Sequence, residues 1–255
     1  MITVTETMVQ SIPLLEVVEE GNKNKNIPVV VFYHGWTGCK ESVLVHGYEL
    51  ARKGFRAVLP DALYHGSRKQ KLSLIEAAMQ FWPIIFNSVE ELPVLKEHYE
   101  QKYKNGIKIG AAGLSMGGMT TSAILTKYPW VDAASILMRS VDPSGFTRWL
   151  LQSKAVSDVT SSIQLLSDVE LGMLYKQLDS YSLEKQPEKI AGRPVHFWHA
   201  TGDPVVPFWP TFDFYESIKD QPFAEKADFS VTEGGGHKVP YTEIQKMADF
   251  FENAL

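Results

Sequence analysis

The chain has 255 residues, 44% hydrophobic and 22% charged, with 18 Gly and 14 Pro, which are globular proportions that exclude collagen-like, coiled-coil and wholly disordered chains. One Cys excludes a disulfide framework and a four-Cys zinc site, and 30 acidic against 25 basic residues give −5, so no basic excess favours nucleic acid. At this length an α/β protein is commonly one domain, and a single unit over 1–255 is the expectation.

Residues 2–7 and 11–18 read as β segments, followed by a polar loop from Gly21 to Asn26. Met1 to Pro13 holds Thr and Glu without a basic-then-apolar signal, and no run reaches the ~18 apolar residues that span a bilayer, so a cytoplasmic protein with no membrane span is expected. Pro28 to Tyr33 is an apolar, β-branched run of the kind buried on both faces of a sheet. Helical spacing follows over 39–53, with Gly54 as the stop, and Phe55 to Leu59 is the next strand. A helical stretch covers about 73–103, with Pro83 and Pro93 expected to kink or divide it. Strands at 106–112 and about 133–138 flank a helix at about 116–128.

Between Val141 and Ile190 the pattern has helical but no strand character. Trp149, Leu150, Leu151, Leu165, Leu166, Leu171, Met173 and Leu174 give it apolar surface, and it reads as a helical cap or lid inserted over one end of the sheet. Alternation resumes with a strand at 194–199, a helix at about 209–218, a strand at 227–232 and a helix at about 240–253. Such βα alternation calls for a mostly parallel sheet with helices on both faces.

Gly113-Leu114-Ser115-Met116-Gly117 is a G-x-S-x-G between a strand and a helix, the setting of a nucleophile elbow. A serine hydroxyl needs a base, and three of the seven histidines follow it: His196, His199 and His237. The first two lie three apart in one strand, point to opposite faces, and are assigned to packing or hydrogen bonding in the sheet. His237 follows a strand and three glycines, which free the backbone to swing its ring over the strand ends. The acid is Asp203, favoured by its Gly202–Pro204 turn, with Asp142 as the rival at the preceding strand end. The oxyanion donors are the backbone amides of Met116 and, in the loop His34-Gly35-Trp36-Thr37-Gly38, of Trp36.

Together with Gly202-Asp203-Pro204-Val205-Val206-Pro207, Gly236-His237 and the loop Asp61 to Ser67, these segments resemble the α/β-hydrolase superfamily. Within it the chain resembles the dienelactone-hydrolase and prolyl-oligopeptidase catalytic-domain branch, from about 28 to 255. The resemblance implies a Ser115–Asp203–His237 triad and an oxyanion hole from Trp36 and Met116; no cofactor or metal is expected. Dienelactone hydrolases use Cys where this chain has Ser, so their lactone substrate is not implied, and without a propeller neither is restriction to oligopeptides.

The function expected is hydrolysis of small carboxylic esters with short- to medium-chain acyl groups. Peptidase, amidase or thioesterase action, or a non-catalytic binding role, are the alternatives. Trp149, Phe208 and Trp209 are candidate pocket residues. Cys39 is assigned to packing, Asp61, His65 and His34 to holding their loops, and Arg139 to a pairing with Asp158 or Asp168.

Overall fold

The computed structural model describes residues 1–103, 106–152 and 167–255. Eight strands form one sheet: β1 (Ile2–Val9), β2 (Ile12–Glu19), β3 (Val29–Tyr33), β4 (Arg56–Pro60), β5 (Ile109–Leu114), β6 (Ala133–Leu137), β7 (Val195–Ala200) and β8 (Ala227–Thr232). Their order is β1-β2-β4-β3-β5-β6-β7-β8, with β1–β2 and β2–β4 antiparallel and every later pair parallel. The helices are α1 (Leu44–Arg52), α2 (Leu74–Met79), α3 (Phe81–Tyr103), α4 (Met116–Lys127), α5 (Pro143–Gln152), α6 (Asp168–Ser180), α7 (Phe208–Ile218) and α8 (Tyr241–Ala254). Among the described residues no helix is long and apolar enough to cross a membrane.

Strand alternation sorts the central residues onto two faces. Val30 and Phe32 pack with Leu50 of α1 and Met247 and Phe251 of α8, whereas Val29, Val31 and Tyr33 pack with Val89, Leu92 and Tyr99 of α3 and Ile124 of α4. All of these are buried, each such aliphatic or aromatic side chain contributing roughly 1.5–3 kcal/mol. The chain runs from β3 outward to β4, then returns to lay β5 on the other side of β3. The loops after β3 and β5 therefore diverge at a switch point, where open α/β sheets form a crevice at their carboxyl ends.

Several boundaries differ from the sequence expectation, among them that of β5, which runs Ile109–Leu114 where the sequence predicts 106–112. The 73–103 stretch divides at Gln80, not at a proline. Pro83 falls in the first turn of α3, where an amide has no helical acceptor to lose, and Pro93 lies inside α3 without ending it. A 3-10 turn over Lys40–Val43 precedes α1, so that helix begins at Leu44.

In the segment between β6 and β7, Phe146 and Leu150 of α5 and Leu178 of α6 are buried with Met116, Met119, Trp82 and Val206, while Trp36, Phe81 and Trp149 pack on this cluster half-buried. Met173, expected in the apolar cover, is instead 68% exposed. The side chain of Leu151, and Asp158, Leu165 and Leu166, lie outside the described residues.

Candidate active site

Ser115 sits between β5 and α4 with φ 54° and ψ −117°, a backbone conformation costly for a residue bearing a Cβ. Close packing on both sides holds it there. A Cβ on Gly113 would collide with the Gly117 carbonyl, and one on Gly117 would collide with the carbonyls of Tyr33 and His34. The two motif glycines thus let α4 press against both β5 and the end of β3. Gly35 lies over the serine, since a Cβ there would meet Ser115 Cβ at 3.6 Å.

The loop after β3 is stapled to the loop after β4 by two histidines. The Ala62 amide donates to His34 Nε2 (3.1 Å), and His34 Nδ1 donates to the Gly35 carbonyl (2.8 Å). The Thr37 amide donates to His65 Nε2 (3.3 Å), and His65 Nδ1 donates to the Leu63 carbonyl (2.9 Å). Each ring accepts at one nitrogen and donates at the other, which only a neutral imidazole does. Burial pushes His34 down to about 4 and lowers His65 as well. Asp61 completes the clamp, accepting from the Lys40 amide (2.8 Å), Lys40 Nζ (2.9 Å) and the Ser67 amide (2.8 Å). Lys40, 2% exposed, was not legible as its partner, because the pairing is made only when the loops after β3 and β4 meet.

Thr37 and Gly38 have their amides engaged, the latter by the Gly35 carbonyl at 3.0 Å. Among the described residues the Trp36 amide has no acceptor. Met116 opens α4, so its amide is one of the donors a helix leaves unpaired at its positive end. The structure thus sets two free amides in the segments that flank Ser115.

His237 enters from the loop after β8. Ser115 Oγ donates to His237 Nε2 (2.8 Å), and His237 Nδ1 donates to Asp203 Oδ2 (2.7 Å). Asp203 Oδ1 accepts from the amides of Val205 (2.8 Å) and Val206 (3.0 Å). Burial alone would raise the Asp203 carboxyl, yet the hydrogen bonds from His199, His237 and the two amides outweigh it and hold the group well below the usual carboxylate range. The rival Asp142 turns its carboxylate toward Arg148 of α5 (3.8 Å), and among the described residues it makes no bond to His237.

His199 bears on the site in a way that strand spacing does not reveal: its Nε2 lies 3.1 Å from Asp203 Oδ2. A four-residue interval brings side chains together on a helix, not across a strand end and the turn after it, so no signal in the chain announces this bond. His196, on the other face, bonds Ser135 Oγ (3.0 Å) and Ser230 Oγ (3.2 Å) within the sheet. Arg139 is not paired with Asp168, which stands exposed on α6; the guanidinium is buried and donates to the Ser140 carbonyl (2.7 Å). Cys39 is half-buried rather than buried.

Two cavities, of about 570 and 730 Å³, flank the loop that carries Trp36. The first runs beneath Tyr64 and His65 toward α2, and the second is walled by His237, Leu114 and Tyr241. Neither is lined by Trp149, Phe208 or Trp209. Trp149 stacks on Phe146 (5.7 Å between ring centroids), Phe208 is buried against the His199 ring (5.8 Å), and Trp209 is 64% exposed.

A model of the prolyl oligopeptidase family matches residues 91–255, and one of the dienelactone hydrolase family matches residues 15–139. Over the full length of both chains the sequence is 40% identical to "Putative esterase YitV" of Bacillus subtilis (strain 168) and 26% identical to "Esterase YjfP" of Escherichia coli (strain K12). The crystal structure of TT1662 from Thermus thermophilus superposes with a TM-score of 0.77 at 19% identity, covering 99% of this chain and 98% of that one, a likeness of fold.

Proposed function

This chain belongs to the prolyl oligopeptidase family of α/β-hydrolases and is a carboxylic-ester hydrolase, and on that premise we propose that it cleaves small esters in the cytoplasm through an acyl-enzyme on Ser115. The observation that carries this reading is the continuous row Ser115 Oγ–His237 Nε2 and His237 Nδ1–Asp203 Oδ2, at 2.8 and 2.7 Å. Ser115 Oγ attacks the ester carbonyl carbon as its proton passes to His237 Nε2. The Trp36 and Met116 amides receive the oxyanion; losing one such donor typically costs about 3–4 kcal/mol of transition-state stabilisation. The tetrahedral adduct collapses, His237 gives the proton to the leaving alkoxide, and the alcohol departs. Water then repeats the sequence on the acyl-enzyme, releasing the acid and restoring the serine. Asp203, held ionised by four donors, keeps the His237 hydrogen on Nδ1 and stabilises the imidazolium.

The acyl group lies against the apolar cluster around Met116, with Trp36 and Trp149 at its edge, which suits short to medium chains. The test is turnover of p-nitrophenyl esters of graded chain length by the protein and its Ser115→Ala variant, with fluorophosphonate labelling. Activity confined to the unsubstituted protein, a label on Ser115 and a maximum at short or medium chains are expected; an unimpaired Ser115→Ala variant would overturn the assignment.

A further inference from the structure

We infer that His199 is a positioning residue for this reaction, its Nε2–H fixing the oxygen of Asp203 that receives His237. The inference rests on the triad reading above and adds a fourth side chain to it.

His199 lies near the end of β7 with no exposed surface. Its Nε2 faces two oxygens, Asp203 Oδ2 at 3.1 Å and the Val206 carbonyl at 3.1 Å. A lone pair on that nitrogen would be repelled by both, so Nε2 carries the hydrogen. Nδ1 is buried and, among the described residues, has no partner. A ring placed only to fill space would be better served by an apolar side chain, because this one leaves an acceptor unsatisfied. What the imidazole adds is one donor, aimed at the carboxylate.

The carboxylate has a use for it. Oδ1 is held by the amides of Val205 and Val206, which anchor one oxygen and leave the other to swing about it. Oδ2 takes His237 Nδ1–H at 2.7 Å and His199 Nε2–H at 3.1 Å, so four donors satisfy the ion and its plane is set. Because His199 also reaches the Val206 carbonyl, the strand end, the carboxylate and the turn that clamps it are tied together. No Lys, Arg, Glu or Tyr side chain of the described residues pairs with Asp203, so His199 and His237 are the titratable groups that face it.

Removing the His199 donor has two consequences. Oδ2 loses a fixed direction, which loosens His237 against Ser115 and lowers kcat with little effect on KM. Oδ2 also becomes a stronger acceptor for His237, which favours the protonated ring and moves the acid limb of the kcat/KM profile to higher pH. For His199→Phe, which keeps a ring against Phe208, kcat should fall on the order of tenfold with KM little changed, and the acid limb should move to higher pH. His199→Gln restores a donor and should recover most of both. Should the Phe variant not fold, nitrogen-15 spectra of the unsubstituted protein carry the test, showing His199 protonated at Nε2 and bare at Nδ1. The inference is overturned by a folded Phe variant with unchanged kcat and acid limb, by a Gln variant no better than Phe, or by a His199 hydrogen found on Nδ1. Failure of the triad reading looks different: the unsubstituted protein would then not be labelled at Ser115 by a fluorophosphonate.

Discussion

Lowering the pH from 7 to 5 should destabilise the fold by several kcal/mol through three buried histidines. His34, His46 and His196 are each held by burial at about 4, below the ordinary 6.5. The unfolded chain therefore binds protons between pH 6.5 and 4 that the folded chain refuses, so stability falls as pH falls across that window. Each contributes on the order of 2 kcal/mol between pH 7 and 5, so the three together amount to several kcal/mol, a large part of a typical folding free energy. The structure gives the refusal a cause at each site. His34 must keep Nε2 bare to accept the Ala62 amide, His46 lies 4.4 Å from the Phe32 ring centroid, and His196 is enclosed between two serines. Asp203, whose carboxyl is depressed, keeps its contribution above the unfolded carboxylate range and loses it only at more acid pH, outside this interval. Urea titrations at pH 7 and 5, with refolding verified, measure the difference, and His46→Gln should remove about a third of it. Equal stability at the two pH values, or a His46→Gln variant with an undiminished difference, would refute the reasoning.

Arg56 and Glu16 form a buried pair at 2.8 Å between β4 and β2, so Arg56→Met leaves the carboxylate, among the described residues, with only the half-exposed Lys102 ammonium at 3.8 Å as a counter-charge and should cost about 3 kcal/mol in urea unfolding. Pairing it with Glu16→Leu should recover much of that loss, and a single variant within about 1 kcal/mol of the original would contradict the account. Gly117→Ala drives a Cβ into the Tyr33 and His34 carbonyls and should lose roughly 1–3 kcal/mol together with esterase turnover. Gly172→Ala, on α6 where a Cβ meets nothing within 4 Å, should stabilise by up to about 1 kcal/mol and leave turnover intact.

Much of this molecule was legible residue by residue, because the decisive signals are local. The β-branched run at Pro28–Tyr33, the glycines two residues either side of Ser115, and the Gly202–Pro204 turn each constrain a few consecutive dihedral angles. Their order along the chain is enough to forecast a parallel sheet with a serine, an acid and a histidine at its carboxyl edge. Other features depend on which loops the strand order sets side by side. Lys40 finds Asp61 because β3 and β4 are neighbours, and Arg139 donates to the carbonyl of the next residue, Ser140, while Asp168 stands exposed on α6. Trp209 turns outward while Phe208 packs on His199, a choice made by how α7 sits on the sheet. The His199 bond to Asp203 also belongs to tertiary structure. Strand periodicity assigns a side chain to a face, but what that face meets is decided by the loop folded back over it, through contacts that chain spacing does not encode.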